Sequence, residues 1–509
     1  MVAGKEEKRR PRKGIPEWPE RMDRKEVNMK TVVRLDKYLS DMGEGTRSTV
    51  KEKIRRGLVT VNGRPASGPE MKINTLADVV VCDGRALSYV HYEYYMLHKP
   101  AGVISATESP QDRTVVDLID CKKRKDLFPV GRLDKDTEGL LLLTNDGELC
   151  HRLLSPKKHV SKLYYARVSG YVTNDDAAAF AAGLKVDEEF TALPARLTVL
   201  SASEALQESE ILLEIYEGKF HQVKRMFEAV GKEVVYLKRL AMGSLSLDER
   251  LAPGAYRELN TRELELLKAE ADSKSSGAKK GCGAFPLLEG VRAVIFDLDG
   301  TLIDSMWVWE QIDIDYLGRF GIAMPDDLGD AIAGISVTQT AVYFQERFGI
   351  KDSVEKIISD WNEMAWEKYM KEVPLKNGVR EFLKFLKFRG IRCAIATSNS
   401  RELTRGVLKS HGISQYFEEI LTGEDIHKGK PDPDVYIEAA KRLQADCEEC
   451  LVFEDIPYGI MAAKAAGMAC VAVEDDFSSA DEAKKRRLSD SYIKDYYQIF
   501  TMKATEWLS

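Results

Sequence analysis

Apolar positions change period several times along this chain, and each change marks an element. From Val32 onward, Leu35, Tyr38, Leu39 and Met42 recur at helical spacing and so share one face of a short helix. After Gly43-Glu44-Gly45 a second helix is expected from Ser48 to Arg56, stopping at Gly57. Leu58-Val59-Thr60-Val61 then meets Asn62-Gly63, a pair that tolerates positive φ and is the strongest short hairpin signal. Asp78-Val79-Val80-Val81 adds a strand, and this small α/β unit closes near Tyr89. Over residues 92–268 short strand-like runs alternate with few helices and no regular βαβ repeat, which predicts an α+β core with a mainly antiparallel sheet. Leu140–Leu143 reads there as a buried strand. Beyond residue 290 the short apolar runs Ala293–Phe296, Arg392–Ala396 and Leu451–Phe453 alternate with amphipathic helices such as Gly378–Arg389. That is the signature of a parallel α/β sheet covered on both faces. A helix-rich segment, about 305–371, interrupts it after the first strand.

These patterns divide the chain into a charged arm at 1–29 with Pro11, Pro16 and Pro19, a small unit at 30–90, a core at 91–268, a linker at 269–289 and a rear domain at 290–509. The arm has too little apolar content to fold and is expected to be disordered. The linker contains Asp272-Ser273-Lys274-Ser275-Ser276-Gly277, and the halves on either side are expected to fold and work apart. No apolar run approaches the roughly 18 residues of a membrane helix, and the hydrophilic N-terminal stretch has no signal-like apolar segment, so the cytoplasm is expected and a membrane is not. Of eight cysteines only Cys447 and Cys450 form a C-x-x-C, with no second pair or histidine to complete a metal site; reduced structural thiols fit better. Charge is unevenly spread. Residues 1–280 hold 48 Lys and Arg against 43 Asp and Glu, and the remainder 27 against 39. A basic front and an acidic rear imply that only the front faces a polyanion.

The front half carries Arg34-Leu35-Asp36-Lys37-Tyr38-Leu39, Thr46-Arg47-Ser48 and Gly57–Gly63, with Arg34, Lys37, Arg47, Lys51, Arg55 and Arg56 as its exposed cations. This phrase resembles the alpha-L RNA-binding motif, which implies a grip on phosphates and folded RNA by charge and shape. Further on come Leu97-His98-Lys99-Pro100-Ala101-Gly102, the block Gly131-Arg132-Leu133-Asp134 to Gly147, Lys162-Leu163-Tyr164-Tyr165-Ala166, and Glu217-Gly218-Lys219-Phe220-His221-Gln222-Val223-Lys224. In that order they resemble the RsuA family of pseudouridine synthases over residues 31–265. The resemblance implies a specific uridine of small-subunit ribosomal RNA, or of its assembly intermediate, as substrate, and no cofactor. Asp134 would be the catalytic carboxylate, Tyr164 would meet the flipped base, Lys224 would pair with Asp134, and Arg132 would contact RNA and help to extrude the uridine. The alternative is a ribosome-binding assembly module, although binding alone requires neither Asp134, Tyr164 nor Lys224.

In the rear half Asp297-Leu298-Asp299-Gly300-Thr301 follows an apolar strand, the place where open α/β sheets bind ligands. Thr397-Ser398-Asn399, Gly429-Lys430-Pro431 and Phe453-Glu454-Asp455 follow in order. Together they resemble the haloacid dehalogenase superfamily, its β-phosphoglucomutase-like members included, over 291 to about 475. The resemblance implies a Rossmann-like domain with a helical cap and a small phosphorylated substrate. Asp297 would be the nucleophile of an aspartyl-phosphate, Asp299 the acid/base, and Thr397, Ser398 and Lys430 would hold phosphate. Mg²⁺ would be held by Asp297, Asp455, the Asp299 backbone carbonyl and Glu454. The expectation is a bifunctional enzyme whose rear half is a phosphatase, with a sugar-phosphate mutase as the alternative.

Overall fold

The computed structural model describes residues 32–155, 158–272, 286–332 and 337–501. The arm 1–29 and the linker stretch 273–285 lie outside the described residues, although helix Thr261–Asp272 runs into the span read as linker.

One compact unit comprises the described residues up to His91 together with 123–126. Its helices are Leu35–Asp41 and Arg47–Arg55, the second capped by Thr46, whose hydroxyl accepts from the Thr49 N–H. Strands Val59–Val61 and Arg64–Pro65 flank Asn62-Gly63, and both turn residues have the positive φ that a type I′ hairpin requires. Strands Val80–Cys82 and Arg85–Leu87 complete a four-stranded antiparallel sheet; their turn, Asp83-Gly84, has two positive φ values like Asn62-Gly63 and was not anticipated from the sequence. Leu35, Tyr38, Leu39, Val50 and Ile54 form the core under this sheet. Residues 123–126 belong to the unit through Arg124, which is buried against Asp41 and over the Tyr89 ring.

The other unit contains everything else. Its first layer is a nine-stranded sheet with seven strands in the order Arg196–Ser203, Glu208–Ile215, Lys162–Ser169, Glu233–Met242, Glu138–Thr144, Tyr94–Lys99, Tyr256–Glu258. All of its pairings are antiparallel except that of Glu138–Thr144 with Glu233–Met242. At that junction Gly139 has φ +103, and a Cβ there would lie 2.2 Å from the Arg239 carbonyl oxygen, so only glycine lets the two strands meet. The rear domain is a six-stranded sheet built on Ala293–Phe296, Arg392–Ala396 and Cys450–Glu454, parallel throughout. Helices Val308–Gly318, Leu328–Ile332, Val337–Phe348 and Val354–Lys371 form the insertion after its first strand.

The two halves share a buried contact. Along Lys162–Ser169 alternate residues face opposite ways: Tyr164 and Ala166 join the inner core of the front half, whereas Leu163 joins the rear domain's core. Leu200, Leu212 and Leu240 do the same, sharing one buried cluster with Phe385, Tyr497 and Phe500. Polar ties rim this contact. Arg196 donates to the Phe500 carbonyl (2.8 Å), Lys384 pairs with Glu210, and Arg262 pairs with Glu474 (2.8 Å).

Candidate active sites

The first site is a loop that enters strand Glu138–Thr144. Its backbone is held by Lys99 at the end of the neighbouring strand, a side chain with no solvent exposure. The Lys99 ammonium donates to the carbonyls of Asp134 (3.0 Å), Lys135 (3.3 Å), Thr137 (2.8 Å) and Pro100 (3.1 Å). Burial pushes this amine down to about 8. Ser105 exchanges hydrogen bonds with the Leu133 N–H and C=O, and Gly102 N donates to the Lys135 carbonyl (2.7 Å). The loop backbone is therefore fixed from several sides while the Asp134 carboxylate stays partly exposed.

Around that carboxylate stand two groups from the Lys219–Glu228 segment. Lys224 Nζ lies 3.9 Å from Asp134 Oδ2, and His221 Nε2 lies 3.5 Å from Asp134 Oδ1. Lys224 makes its tight pair with Asp136 instead (2.7 Å), and this bond holds the Asp136 carboxyl below its usual range. The expected Lys224–Asp134 pairing is thus a looser contact within a triangle of one ammonium and two carboxylates. Helix Gln222–Glu228 places Lys224 here because Val223, Met226 and Phe227 anchor its opposite side in the core. His221, at the helix start, has the left-handed backbone φ +47, and its ring is stacked on the exposed Phe220 (centroids 3.8 Å apart). Tyr164 is buried in the inner core, and Arg132 is exposed on the Asp134 loop. Lys99, Asp136 and His221 lie within the sequence motifs, but nothing in the motifs themselves marks a role for these three residues. Arg34, Lys37, Arg47, Lys51, Arg55 and Arg56 are exposed on the small unit. Three of them are already engaged, Arg34 by Asp36 (2.9 Å), Lys37 by Asp41 (3.3 Å) and Arg56 by Glu52 (3.9 Å).

The second site lies at the carboxyl ends of three parallel strands. Phe296 is level with Ile395 on one side and Phe453 on the other, so Asp297, Thr397 and Glu454 emerge together. Lys430 donates to Asp297 Oδ1 and Glu454 Oε1, both at 2.6 Å, and to the Ala396 carbonyl. Burial works against the Lys430 charge, but the two carboxylates outweigh it and hold the amine above its usual value. Burial raises the Asp297 carboxyl against the pull of Lys430, and burial with Glu454 and Asp297 nearby raises Asp455 well above the ordinary range. Tyr436 also donates to Glu454 (2.7 Å). Gly300 (φ +73) lets the chain pass Asp455, whose Oδ2 would lie 2.3 Å from an added Cβ.

Ligand oxygens of Asp297, Glu454 and Asp455 lie within 4.8 Å of one another, and Asp455 Oδ2 is buried without a hydrogen-bond partner. Three crowded carboxylates with an unsatisfied oxygen suit a hard divalent cation bound through oxygen. Asp299 accepts from Ser305 Oγ, Tyr369 OH and Asn399 Nδ2, each at 2.6 Å. Ser305 precedes the helical insertion and Tyr369 lies in its last helix, so the insertion bonds Asp299 directly. Tyr369 and Asn399 had no role in the sequence reading. Thr397 is buried beside the strand ends and Ser398 is exposed.

Comparison with known proteins matches this anatomy in order. The S4 domain family matches residues 33–80, the RNA pseudouridylate synthase family 93–229 and the haloacid dehalogenase-like hydrolase family 294–473. An uncharacterised RNA pseudouridine synthase of Bacillus subtilis, YtzG, is 46% identical over 236 residues, 46% of this chain and 98% of that protein. Ribosomal small subunit pseudouridine synthase A of Vibrio vulnificus is 39% identical over 234 residues, 46% of this chain and 98% of the relative. A crystal structure described as that of a "putative beta-phosphoglucomutase" of Thermotoga maritima is 28% identical, covering 42% of this chain and 97% of its own, with a TM-score of 0.39. The chain belongs to the RNA pseudouridine synthases of the RsuA type. Behind that core it carries a haloacid dehalogenase-like hydrolase domain, so one polypeptide joins an isomerase to a hydrolase.

Proposed function

We propose that the front half converts a uridine of small-subunit ribosomal RNA, free or in an assembling particle, to pseudouridine. The observation that carries this is the Asp134 carboxylate, left accessible on a loop whose carbonyls Lys99 holds. Asp134 acts at the sugar as nucleophile or base while the C1′–N1 bond breaks and a C1′–C5 bond forms. Lys224, 3.9 Å away, brings a positive charge to the carboxylate. Tyr164 meets the extruded base, and Arg132 with the exposed cations of the small unit holds the RNA backbone.

The rear half, in this reading, is a Mg²⁺-dependent phosphatase of a small phosphorylated metabolite. Asp297 forms a bond to phosphorus as the ester P–O bond breaks and Asp299 protonates the departing oxygen. Asp299 then takes a proton from the water whose oxygen bonds phosphorus as the Asp297–phosphorus bond breaks, freeing phosphate and restoring the carboxylate. Thr397, Ser398 and Lys430 hold phosphate oxygens. Mg²⁺, held by Asp297, Asp455, Glu454 and the Asp299 backbone carbonyl, would supply charge neutralisation at the phosphoryl group. No helix among the described residues is long and apolar enough to cross a membrane.

The test uses full-length variants. Asp134→Asn should abolish pseudouridine in ribosomal RNA mapped from a deficient strain, with RNA affinity within twofold, because affinity rests on many phosphate contacts. Asp297→Asn should abolish phosphate release across a panel of phosphorylated metabolites and leave RNA modification intact. Modification by Asp134→Asn, or conversion of sugar phosphates without phosphate release by the wild type, would refute the corresponding half.

A further inference from the structure

Two short linkers join the hydrolase sheet to its helical insertion, one around Asp304 and one over 372–378. They pair with each other: Asp304 N donates to the Pro374 carbonyl (3.0 Å), and Lys376 N donates to the Leu302 carbonyl (2.9 Å). This ladder leads straight into the site, since Ser305 follows Asp304 and bonds Asp299. One loop of the synthase half reaches both linkers. Arg250 Nη1 lies 3.7 Å from Asp304 Oδ2, and Glu249 N donates to Asn377 Oδ1 (3.2 Å). Tyr497 of the hydrolase donates to the Glu249 side chain (3.1 Å), and the Tyr496 N–H donates to the Asn377 carbonyl (2.9 Å).

The loop has a rigid anchor at its other end. His98 Nδ1 lies 2.6 Å from the Leu251 carbonyl oxygen, Gly254 N donates to the His98 carbonyl (2.7 Å), and His98 N donates to the Ala255 carbonyl (3.0 Å). His98 directly precedes Lys99, which holds the Asp134 loop. A segment fastened to the synthase's catalytic strand thus also bears on both linkers of the hydrolase insertion.

We propose that the loop Asp248–Leu251 braces the hydrolase hinge, with Arg250 and Asn377 as positioning residues for the hydrolase reaction. By fixing the linker ladder it sets how Ser305 and Tyr369 present Asp299. Phosphate-ester turnover then depends on a residue of the synthase half, a dependence that requires the rear half to be the phosphatase proposed above, whereas the brace itself does not.

The experiment compares wild type, Arg250→Ala, Asn377→Ala and the double variant as full chains. Hydrogen exchange at the Asp304 and Lys376 amides reads the hinge without reference to activity. Each single change should accelerate exchange about threefold and the double change about tenfold, the scale of one exposed ion pair and one neutral hydrogen bond. Hydrolysis of para-nitrophenyl phosphate with Mg²⁺ should lose kcat in step, with KM within twofold, and Arg250→Lys should recover most of it. Pseudouridine formation should stay within twofold of wild type, which shows that the variants are folded. Wild-type exchange at both amides in the double variant would overturn the brace. If the wild type hydrolyses no phosphate ester, the phosphatase reading fails while the exchange result alone decides the brace.

Discussion

Lys99→Met removes the ammonium beneath the catalytic loop while keeping an unbranched stem of similar length. Its three protons serve four carbonyls, so at most three strong bonds exist at once. Removing one partner of a buried charged network costs about 3–5 kcal/mol. Against this, the apolar stem escapes the burial penalty, which displaces the amine from 10.5 to about 8 and is worth ~3 kcal/mol. The difference leaves only ~0–2 kcal/mol of lost stability, a Tm decrease below about 8 °C for a unit of this size. Catalysis should suffer far more. The carbonyls of Asp134, Lys135 and Thr137 lose what fixes their direction, and a misplacement near 1 Å costs about 100-fold in rate. Single-turnover pseudouridine formation on a ribosomal RNA transcript, with a melting curve on the same sample, separates the two effects. In the wild type the rate should also decline as pH rises past about 8 and the ammonium titrates. The folded value lies below the free one, so titration of Lys99 itself adds stability between about 8 and 10.5, opposite in sign to the activity. A Lys99→Met rate within threefold of wild type would refute this account of the loop.

Tyr369→Phe removes one of three donors to Asp299 and should lower phosphatase kcat about tenfold, ~1.4 kcal/mol, at unchanged KM; an unaltered kcat would leave the tyrosine a packing residue. Chelation of Mg²⁺ should stop phosphate release and readdition should restore it, checked by phosphate assay; full release in the chelator would show that Asp297, Glu454 and Asp455 work without a cation. Excising 290–509 uncovers Leu163, Leu200, Leu212 and Leu240, each worth about 1.5–3 kcal/mol when buried. The remaining fragment should aggregate or melt well below the full chain, and a soluble fragment with the parent Tm would show that face to be indifferent to its cover.

What could be read from the sequence was local or periodic. Asn62-Gly63 announces its turn because few pairs accept two positive φ values, and Asp297 announces its strand end because an apolar run stops at a carboxylate. The Lys99 contacts were hidden for the opposite reason: a lysine in Leu97-His98-Lys99-Pro100 looks exposed until the chain returns some 35 residues later to surround it with carbonyls. The Lys224 geometry was half legible. The motif brings the ammonium to the loop, but Asp136, two residues beyond Asp134, competes for it on a detail of turn geometry that spacing does not encode.

The relation between the halves is instructive, because two signals in the sequence point different ways. Serine, glycine and lysine at 273–281 favoured independent domains, and that composition describes only the connection. The strands carried contrary information. Leu163-Tyr164-Tyr165-Ala166 and Ile211-Leu212-Leu213 are apolar at consecutive positions, and since side chains alternate across a strand, such runs require cover on both faces. The front half's inner core supplies one cover. The other comes from Phe385, Tyr497 and Phe500, at least 170 residues further along the chain. An antiparallel sheet with one solvated face would have alternated polar and apolar positions. The absence of that alternation on its central strands is the physical reason to expect the hydrolase where the structure has it, and a linker's composition cannot outweigh it.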